Sequence, residues 1–276
     1  MNEVDVCLVT YHTEDHPRLQ YLPLTITSCL QQTALGRLLI LDNGSSPALG
    51  AFLDTYDDPR IERYRFEVNF QEPAWQFLAE KTTAPFLCFM CDDDFFTSPE
   101  ALERLSGSLQ LPSQGIAFPN ASEAIQGPAI LFGSLDFNRL FAMCFLPLSG
   151  TVFRRELISC VAEMNSFQGD WYMWLEMAYC RDIVPVVGTL MGYRRHPGSD
   201  TDSLGYGQNL FLSVMMELWE KWLKRGYVPS EKTWKLMQQN LLDTLNKSNV
   251  SFRQGVEYLD QFSQIKNLYG FQTRRS

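Results

Sequence analysis

An α/β fold, with a mainly parallel mixed sheet flanked by helices and a helical extension at the C-terminus, is what this 276-residue sequence predicts. Three observations lead there. Through residue 110, short apolar runs rich in β-branched and aromatic residues alternate with helix-period stretches, the spacing of βα units. Runs such as Phe86-Leu87-Cys88-Phe89-Met90 are apolar throughout, as strands covered on both faces are. Beyond residue 199 the apolar residues recur at three- and four-residue intervals, the stripe of amphipathic helices.

Taken in order, positions 4–10 form the first strand, followed by a helix near 19–32, a strand at 38–41 and a helix near 48–56. The alternation continues with a strand at 61–68, a helix near 73–81, a strand at 86–90 and a helix from Pro99 to 110. Ser98 suits the N-cap of that last helix, with Pro99 in the first turn and Glu100 favourable at the positive end. Residues 116–149 carry Gly and Pro punctuation around apolar pieces at 129–132 and 143–148, and predict mixed strands and loops. A strand at 150–153, helices at 155–164 and 170–179, and strands around 184–187 and 190–194 come next. Three amphipathic helices at 208–225, 230–245 and 252–268 close the chain, so the expected division is a sheet domain over 1–204 and a helical extension over 205–276.

With 45% hydrophobic residues the chain can bury a large core. A formal net charge of -9 excludes broad attraction to nucleic-acid phosphate or anionic lipid, so any phosphate must be met by a local device. Asn2, Glu3 and Asp5 interrupt the start, which does not resemble a signal peptide, and no stretch reaches the ~18 unbroken apolar residues of a membrane span; the expected location is the cytoplasm. Seven cysteines, an odd number scattered through apolar segments, predict reduced and mostly buried thiols. Cys88 and Cys91 spell a C-x-x-C, but on a strand they face opposite sides and no second pair completes a zinc site.

In open parallel sheets ligands collect beyond the carboxyl ends of the strands. Three such ends are polar here: Thr10-Tyr11-His12, Asp42-Asn43-Gly44-Ser45-Ser46, and Asp92-Asp93-Asp94 directly after the run at 86–90. Acidic triplets are most often solvated surface, and D-N-G favours a tight turn unaided. A triplet at the end of a buried strand is different, because adjacent carboxylates repel when desolvated unless a cation compensates them. Mg²⁺ and Mn²⁺ are held by one or two carboxylates plus substrate phosphates, so this strand end predicts a metal-diphosphate site.

These residues, in order, resemble glycosyltransferase family 2 on the GT-A fold, a Rossmann-like architecture. "VCLVTYHTEDHPRLQYLPLTITSCLQQ" is similar to the family's opening strand and the helix closing on a Ser-x-x-x-Gln element, here Ser28 to Gln32. "LLILDNGSS" resembles its Asp-[Asp/Asn]-Gly-Ser motif, and "FLCFMCDDDFFTSPEALERL" the strand carrying its DXD metal motif. "NFQEPAWQFLAEKTTAPFLCF" is similar to the Asn-x-Gly helix, with Phe70 where Gly is common. "FQGDWYMWLEMA" and "YRRHPGSDT" resemble the later acidic motif and the Tyr-Arg-x-His-x-x-Ser segment, and the whole resemblance runs over residues 4–202.

The resemblance implies a metal-dependent inverting transferase that moves a hexose or deoxyhexose from a nucleoside-diphosphate sugar, UDP or dTDP type, to a hydroxyl of a glycan or lipid-linked acceptor in surface polysaccharide or glycan synthesis. It implies Thr10, Tyr11, Asp42, Asn43, Asn69, Gln76, Asp92, Asp93 and Arg194 at the nucleotide and sugar, Asp94 and His196 at a Mn²⁺ or Mg²⁺ ion, and Asp170 as general base. A lipid-linked acceptor would bring the protein to the inner face of the cytoplasmic membrane. Glu176 is a weaker base, lying near the far end of the same helix.

Other readings fit less well. A sugar-nucleotide pyrophosphorylase or other nucleotidyltransferase wants a Gly-rich basic loop after the first strand, where Tyr11-His12-Thr13-Glu14-Asp15 stands. A D-x-D-x-T phosphatase fails because Phe96 lies two residues beyond Asp94. A catalytically inactive binding module on the same fold is the remaining alternative. The stripe Met216, Trp219, Trp222, Leu223 is expected to pack on the sheet domain, with a peripheral membrane or partner surface as its other use.

Overall fold

A computed structural model describes residues 2–15, 17–70, 73–124, 130–131, 136–164, 169–194, 196 and 210–270, with backbone alone at 120–124, 130–131 and 163. The chain divides into two compact units, Met1–Leu135 with Leu146–Arg195, and Asp136–Phe145 with His196–Ser276. The division expected at 204/205 falls among residues outside the described ones.

Among the described residues the first unit is built on a sheet of nine strands: β1 Val4–Thr10, β2 Leu35–Asn43, β3 Ile61–Phe66, β4 Phe86–Cys91, β5 Phe95–Phe96, β6 Gln114–Ala124, β7 Ile130–Leu131, β8 Val152–Arg154 and β9 Asp182–Tyr193. Their order is β3-β2-β1-β4-β8-β6-β9-β5, with β7 on β6. β1 to β4 are parallel, and β8 runs antiparallel to both β4 and β6. The helices of this unit are α1 Leu22–Leu30, α2 Pro47–Leu53, α3 Pro73–Lys81, α4 Ala101–Ser108 and, later in the chain, α6 Gly169–Cys180. Phe86 to Met90 are at most 4% exposed, as a strand covered on both faces requires. A run of aromatic contacts, Trp75 to Phe89 at 5.1 Å, Phe89 to Phe153 at 5.2 Å and Phe153 to Trp174 at 5.9 Å, locks α3, β4, β8 and α6 together.

Several elements differ from expectation. The strands expected at 184–187 and 190–194 are one, because Gly188, at φ 128, takes up a register shift against β6 instead of ending the strand. The helix expected at 155–164 is a 3-10 helix, Arg155–Glu163, packed against α3 and α6; apolar residues three and four apart suit either helix type. The 19–32 helix is a 3-10 turn, Arg18–Gln20, followed by α1 with Pro23 in its first turn. α4 starts at Ala101 with no side-chain cap, since Pro99 gives its carbonyl to the Thr33 N–H at 2.9 Å and holds 98–100 in a turn. Residues 143–148 carry no strand. Of the seven free thiols only Cys7, Cys29 and Cys88 are buried; Cys180, past the last turn of buried residues in α6, is exposed.

The second unit holds α5 Phe137–Ala142, α7 Leu210–Lys224, α8 Glu231–Lys247 and α9 Phe252–Gly270. Ser230 caps α8, its side chain accepting from Thr233 N. Met216, Trp219, Trp222 and Leu223 are at most 3% exposed inside this unit. Trp219 donates to the Phe141 carbonyl at 2.8 Å and lies 5.7 Å from the Phe262 ring, while Trp222 meets Phe137 at 5.3 Å. The stripe therefore packs among its own helices and is not available as a membrane surface. No helix among the described residues is long and apolar enough to cross a membrane.

Asp5, 1% exposed, ties the left of the sheet together. Its carboxylate accepts from Arg37 N at 3.0 Å and Arg37 Nη2 at 2.9 Å on β2, and from Thr83 N at 2.8 Å and Ala84 N at 3.1 Å ahead of β4. Removing one partner of such a buried set leaves charge and N–H groups unmatched. Asp5→Ala is expected to lower unfolding free energy by about 3 kcal/mol in urea titration; a change within about 0.5 kcal/mol, the surface norm, would refute the assignment.

Candidate active site

The ends of β1, β2 and β4 meet at one rim, because Thr10 pairs with Asp42 and Val9 with Cys91. α1 crosses behind it with Thr25 and Ser28 on one face, and Gln32 follows just past its C-cap. Thr25 Oγ1 donates toward the carbonyls of Asp92 (3.1 Å) and Asp94 (2.7 Å). Ser28 Oγ accepts from Phe96 N at 3.0 Å, and Gln32 bonds Ser98 O at 2.8 Å and Leu102 N at 3.0 Å. This explains the Ser28 to Gln32 element: these side chains clamp the backbone of the acidic turn from β4 to α4.

Asp92 is 8% exposed and accepts from Thr10 Oγ1 at 2.8 Å and from the Tyr11 N–H. Burial pushes its carboxyl up to about 7, against the pull of Arg18. Asp94 is 2% exposed and is pushed up to about 8 by burial first and by the neighbouring Asp93 second. The Ser149 hydroxyl and the Arg194 N–H, 3.0 Å away, work the other way. Arg18 from the 3-10 turn reaches Asp93 at 3.0 Å and Asp92 at 3.7 Å. No arginine or lysine among the described residues forms an ion pair with Asp94.

One donor atom each from Cys91, Asp93 and Asp94 lies within 4.8 Å of the others. The two carboxylates fit a hard divalent cation. Burial holds the Cys91 thiol protonated, well above its ordinary range, so it stands beside such an ion as a weak neutral group. Asp93 joins Asp94 because 92–93 form a turn, where strand alternation no longer separates neighbours.

The second strand end is organised differently. Gly44 at φ 82 makes the turn, and a Cβ there would lie 2.6 Å from Asn69 N. Asp42 accepts from Ser45 N at 2.8 Å and pairs with Arg65, its register partner on β3; Arg65 Nη2 also reaches Ser45 O at 3.2 Å. Ser45 Oγ accepts from His12 N at 2.8 Å, joining the first and second rims. Asn43 bonds Asn69 Oδ1 at 2.7 Å and both backbone groups of Phe70, at 3.1 and 3.0 Å, so Asn43 and Asn69 brace the loop after β3. Gln76 bonds Glu80 at 2.9 Å along α3, and Tyr11 is half-buried beside the rim.

The Arg194 guanidinium stacks 4.5 Å over Tyr21 and 5.9 Å from Phe95, with Nη1 buried and lacking a hydrogen-bond partner among the described residues. Asp170 sits half-buried in the first turn of α6, its carboxyl pushed up to about 6 by burial and drawn back by the N–H groups of Trp171 and Asp170. Gly169 precedes it because a Cβ there would stand 2.6 Å from Met164 Cα. The half-buried His196 belongs to the second unit, and Arg195 lies outside the described residues. Thr25, Arg18, Ser149, Arg65 and Cys91 were not anticipated. Thr25, three residues before Ser28 on an apolar helix, was the one legible signal.

A parallel four-strand half joined to a mixed half, with an acidic turn where β4 ends, is the GT-A arrangement of glycosyltransferases. The chain belongs to glycosyl transferase family 2, whose sequence model matches residues 5–157. No curated protein sequence matches. Among solved structures, S. aureus TarS 1-349 in complex with UDP-GlcNAc aligns at TM-score 0.71 and 13% identity, over 95% of this chain and 81% of that one. The mannosyltransferase PcManGT from Pyrobaculum calidifontis, in complex with GDP-Man and Mn2+, aligns at TM-score 0.61 and 10% identity, over 98% and 82%.

The raised carboxyl of Asp94 has a consequence for stability. In the unfolded chain it titrates near 3.8, in the folded one near 8. Its contribution is full below the lower value and is lost as pH rises through the higher one. Without added metal, Asp94→Asn is expected to melt above the parent, with a gap widening as pH goes from about 5 to about 8. Parallel Tm profiles across that range would show that the carboxyl is not held protonated.

Proposed function

We propose that this protein is an inverting, divalent-cation-dependent glycosyltransferase acting on a nucleoside-diphosphate sugar and an acceptor hydroxyl. The observation that carries the reading is Asp94, a buried carboxylate with no ion-pair partner among the described residues, beside Asp93 and below the Arg18-bridged Asp92. Arg18 faces Asp92 and Asp93 and leaves Asp94 without a counter-charge, so a divalent ion there would favour its ionised form. Mn²⁺ or Mg²⁺ bound by Asp94 and Asp93 would supply positive charge to the departing diphosphate. Family membership and the ligands named with the two neighbouring structures support the donor class.

Within that reading, Asp92 with Thr10 meets hydroxyls of the ribose or sugar, and the unpartnered Arg194 Nη1 serves the diphosphate. Asp42 offers an acceptor beside the Arg65 donor, which complements an N–H flanked by carbonyls and supports the UDP or dTDP type, with Tyr11 against the base face. Asn43, Asn69 and Gln76 hold the loop and helix around the donor. Asp170, raised to about 6, takes the acceptor proton at its carboxylate. The acceptor oxygen bonds to the anomeric carbon, the bond from that carbon to the diphosphate oxygen breaks, its electron pair leaves with the nucleoside diphosphate, and configuration inverts. The acceptor we assign is a hydroxyl of a glycan or lipid-linked glycan.

A thermal-shift screen of UDP, dTDP, GDP and CDP sugars with and without Mn²⁺ tests this. One nucleotide class should raise Tm only with metal, and Asp94→Ala should lose the shift; no metal-dependent shift with any donor would refute the reading. Asp170→Asn should keep the shift and lower kcat by about 10²- to 10⁴-fold. A general base works ionised, so kcat/KM should fall as pH drops below about 6. Retained transfer in Asp170→Asn removes that residue from the role.

A further inference from the structure

Arg18 is placed where two cations would compete. Its side chain is 15% exposed and faces carboxylates that are 10% and 13% exposed, so the contact is screened from water on most sides. Its grip is loose. Nη1 donates to Asp93 at 3.0 Å while Nε stands 3.7 Å from Asp92, beyond hydrogen-bond reach, so the planar fork is split across two acids and does not close on one. The backbone of Arg18 is held independently, its N–H donating to His12 Nδ1 at 3.0 Å. The acidic turn is likewise held through its main chain, by Thr25 on the carbonyls of Asp92 and Asp94 and by Ser149 on Cys91 N at 2.9 Å. Neither backbone is thus held through the contact between the guanidinium and the two acids.

Asp93 is at once the Arg18 partner and one of the donors within 4.8 Å of Asp94 and Cys91. A divalent ion that takes this oxygen meets the guanidinium a few ångströms away, and like charges so close and so little exposed to water weaken each other's hold on it. We propose that Arg18 is a resident counter-ion that occupies the cation site in the metal-free protein, cedes Asp93 when a divalent cation binds, and then turns to the diphosphate that arrives with it. The inference rests on the cation site of the preceding section. It makes Arg18 a positioning residue with opposite effects on two ligands, holding the metal off in the absence of donor and holding the diphosphate on in its presence.

The experiment is a titration of free Mn²⁺, read by its electron paramagnetic resonance signal, on the full chain and on Arg18→Gln, Arg18→Lys, Arg65→Gln and Asp94→Ala, with inorganic pyrophosphate as a base-independent probe in a second series. Arg18→Gln should bind Mn²⁺ alone about tenfold tighter and bind pyrophosphate with Mn²⁺ about tenfold weaker. A purely structural role would weaken both together. Arg65→Gln removes the same charge from the neighbouring strand end and should leave Mn²⁺ affinity unchanged; an equal tightening there would reduce the effect to net charge and overturn the proposal. Unchanged or weaker Mn²⁺ binding in folded Arg18→Gln also overturns it. Should that variant fail to fold, Arg18→Lys decides, since a charge without the fork should tighten Mn²⁺ binding less while keeping pyrophosphate, and parental affinity for both would sink the idea. A parent chain that binds Mn²⁺, with binding lost in Asp94→Ala, keeps the site reading intact whatever Arg18 does, whereas no Mn²⁺ binding in the parent and every variant removes the site and the proposal together.

Discussion

Three adjacent carboxylates have to be held out of water at the end of a buried strand, and much of the first unit is arranged around that requirement. Mutual repulsion and lost hydration both act against the turn at 92–94. The opposing interactions come mostly through the main chain: Thr25 and Ser28 on one face of α1, Gln32 just past its end, and Ser149 ahead of β8. The turn is thus pinned through its main chain, whichever partners the three carboxylates take.

Two carboxylates of the same sheet, equally buried, are satisfied to different degrees. Asp5 and Asp94 are almost equally buried, at 1% and 2% exposed. Asp5 accepts from four N–H donors, one of them a guanidinium, and so completes its hydrogen bonding inside the fold. Asp94 has a hydroxyl and one backbone N–H, and burial raises it to about 8. Undersaturation at equal burial is destabilising in the metal-free chain, and it is removed by whatever brings positive charge to the rim. Asp42 stands between the two, engaged by Ser45 and Arg65 yet open at a half-exposed partner.

What was legible in the sequence follows from the range over which each feature is determined. β1 through β4 and α3 depend on local apolar runs and were found within a few residues, and the DDD turn announced itself because charge at the end of such a run is costly. α4 moved to Ala101 because a long-range bond from Thr33 overrode the Ser98 cap pattern. β9 continued through Gly188 because β6, dozens of residues away, supplied a ladder that could absorb a bulge. Segment Asp136–Phe145 joins the C-terminal helices for the same kind of reason, since Phe137 and Phe141 find Trp222 and Tyr227 as ring partners dozens of residues later in the chain.

The site itself was half legible for a related reason. Acids at strand ends can be read from one segment at a time, whereas their counter-charges come from elsewhere: Arg18 from the loop after β1, Arg65 from β3 and the Arg194 N–H from the end of β9. Each acidic rim thus has an arginine from a different element, and the two arginines are held differently. Arg65 binds Asp42 through its own register neighbour and returns to Ser45, a closed loop that a ligand must join and need not break. Arg18 splits its fork between two acids and so lacks the bidentate geometry that makes an arginine-carboxylate pair strong.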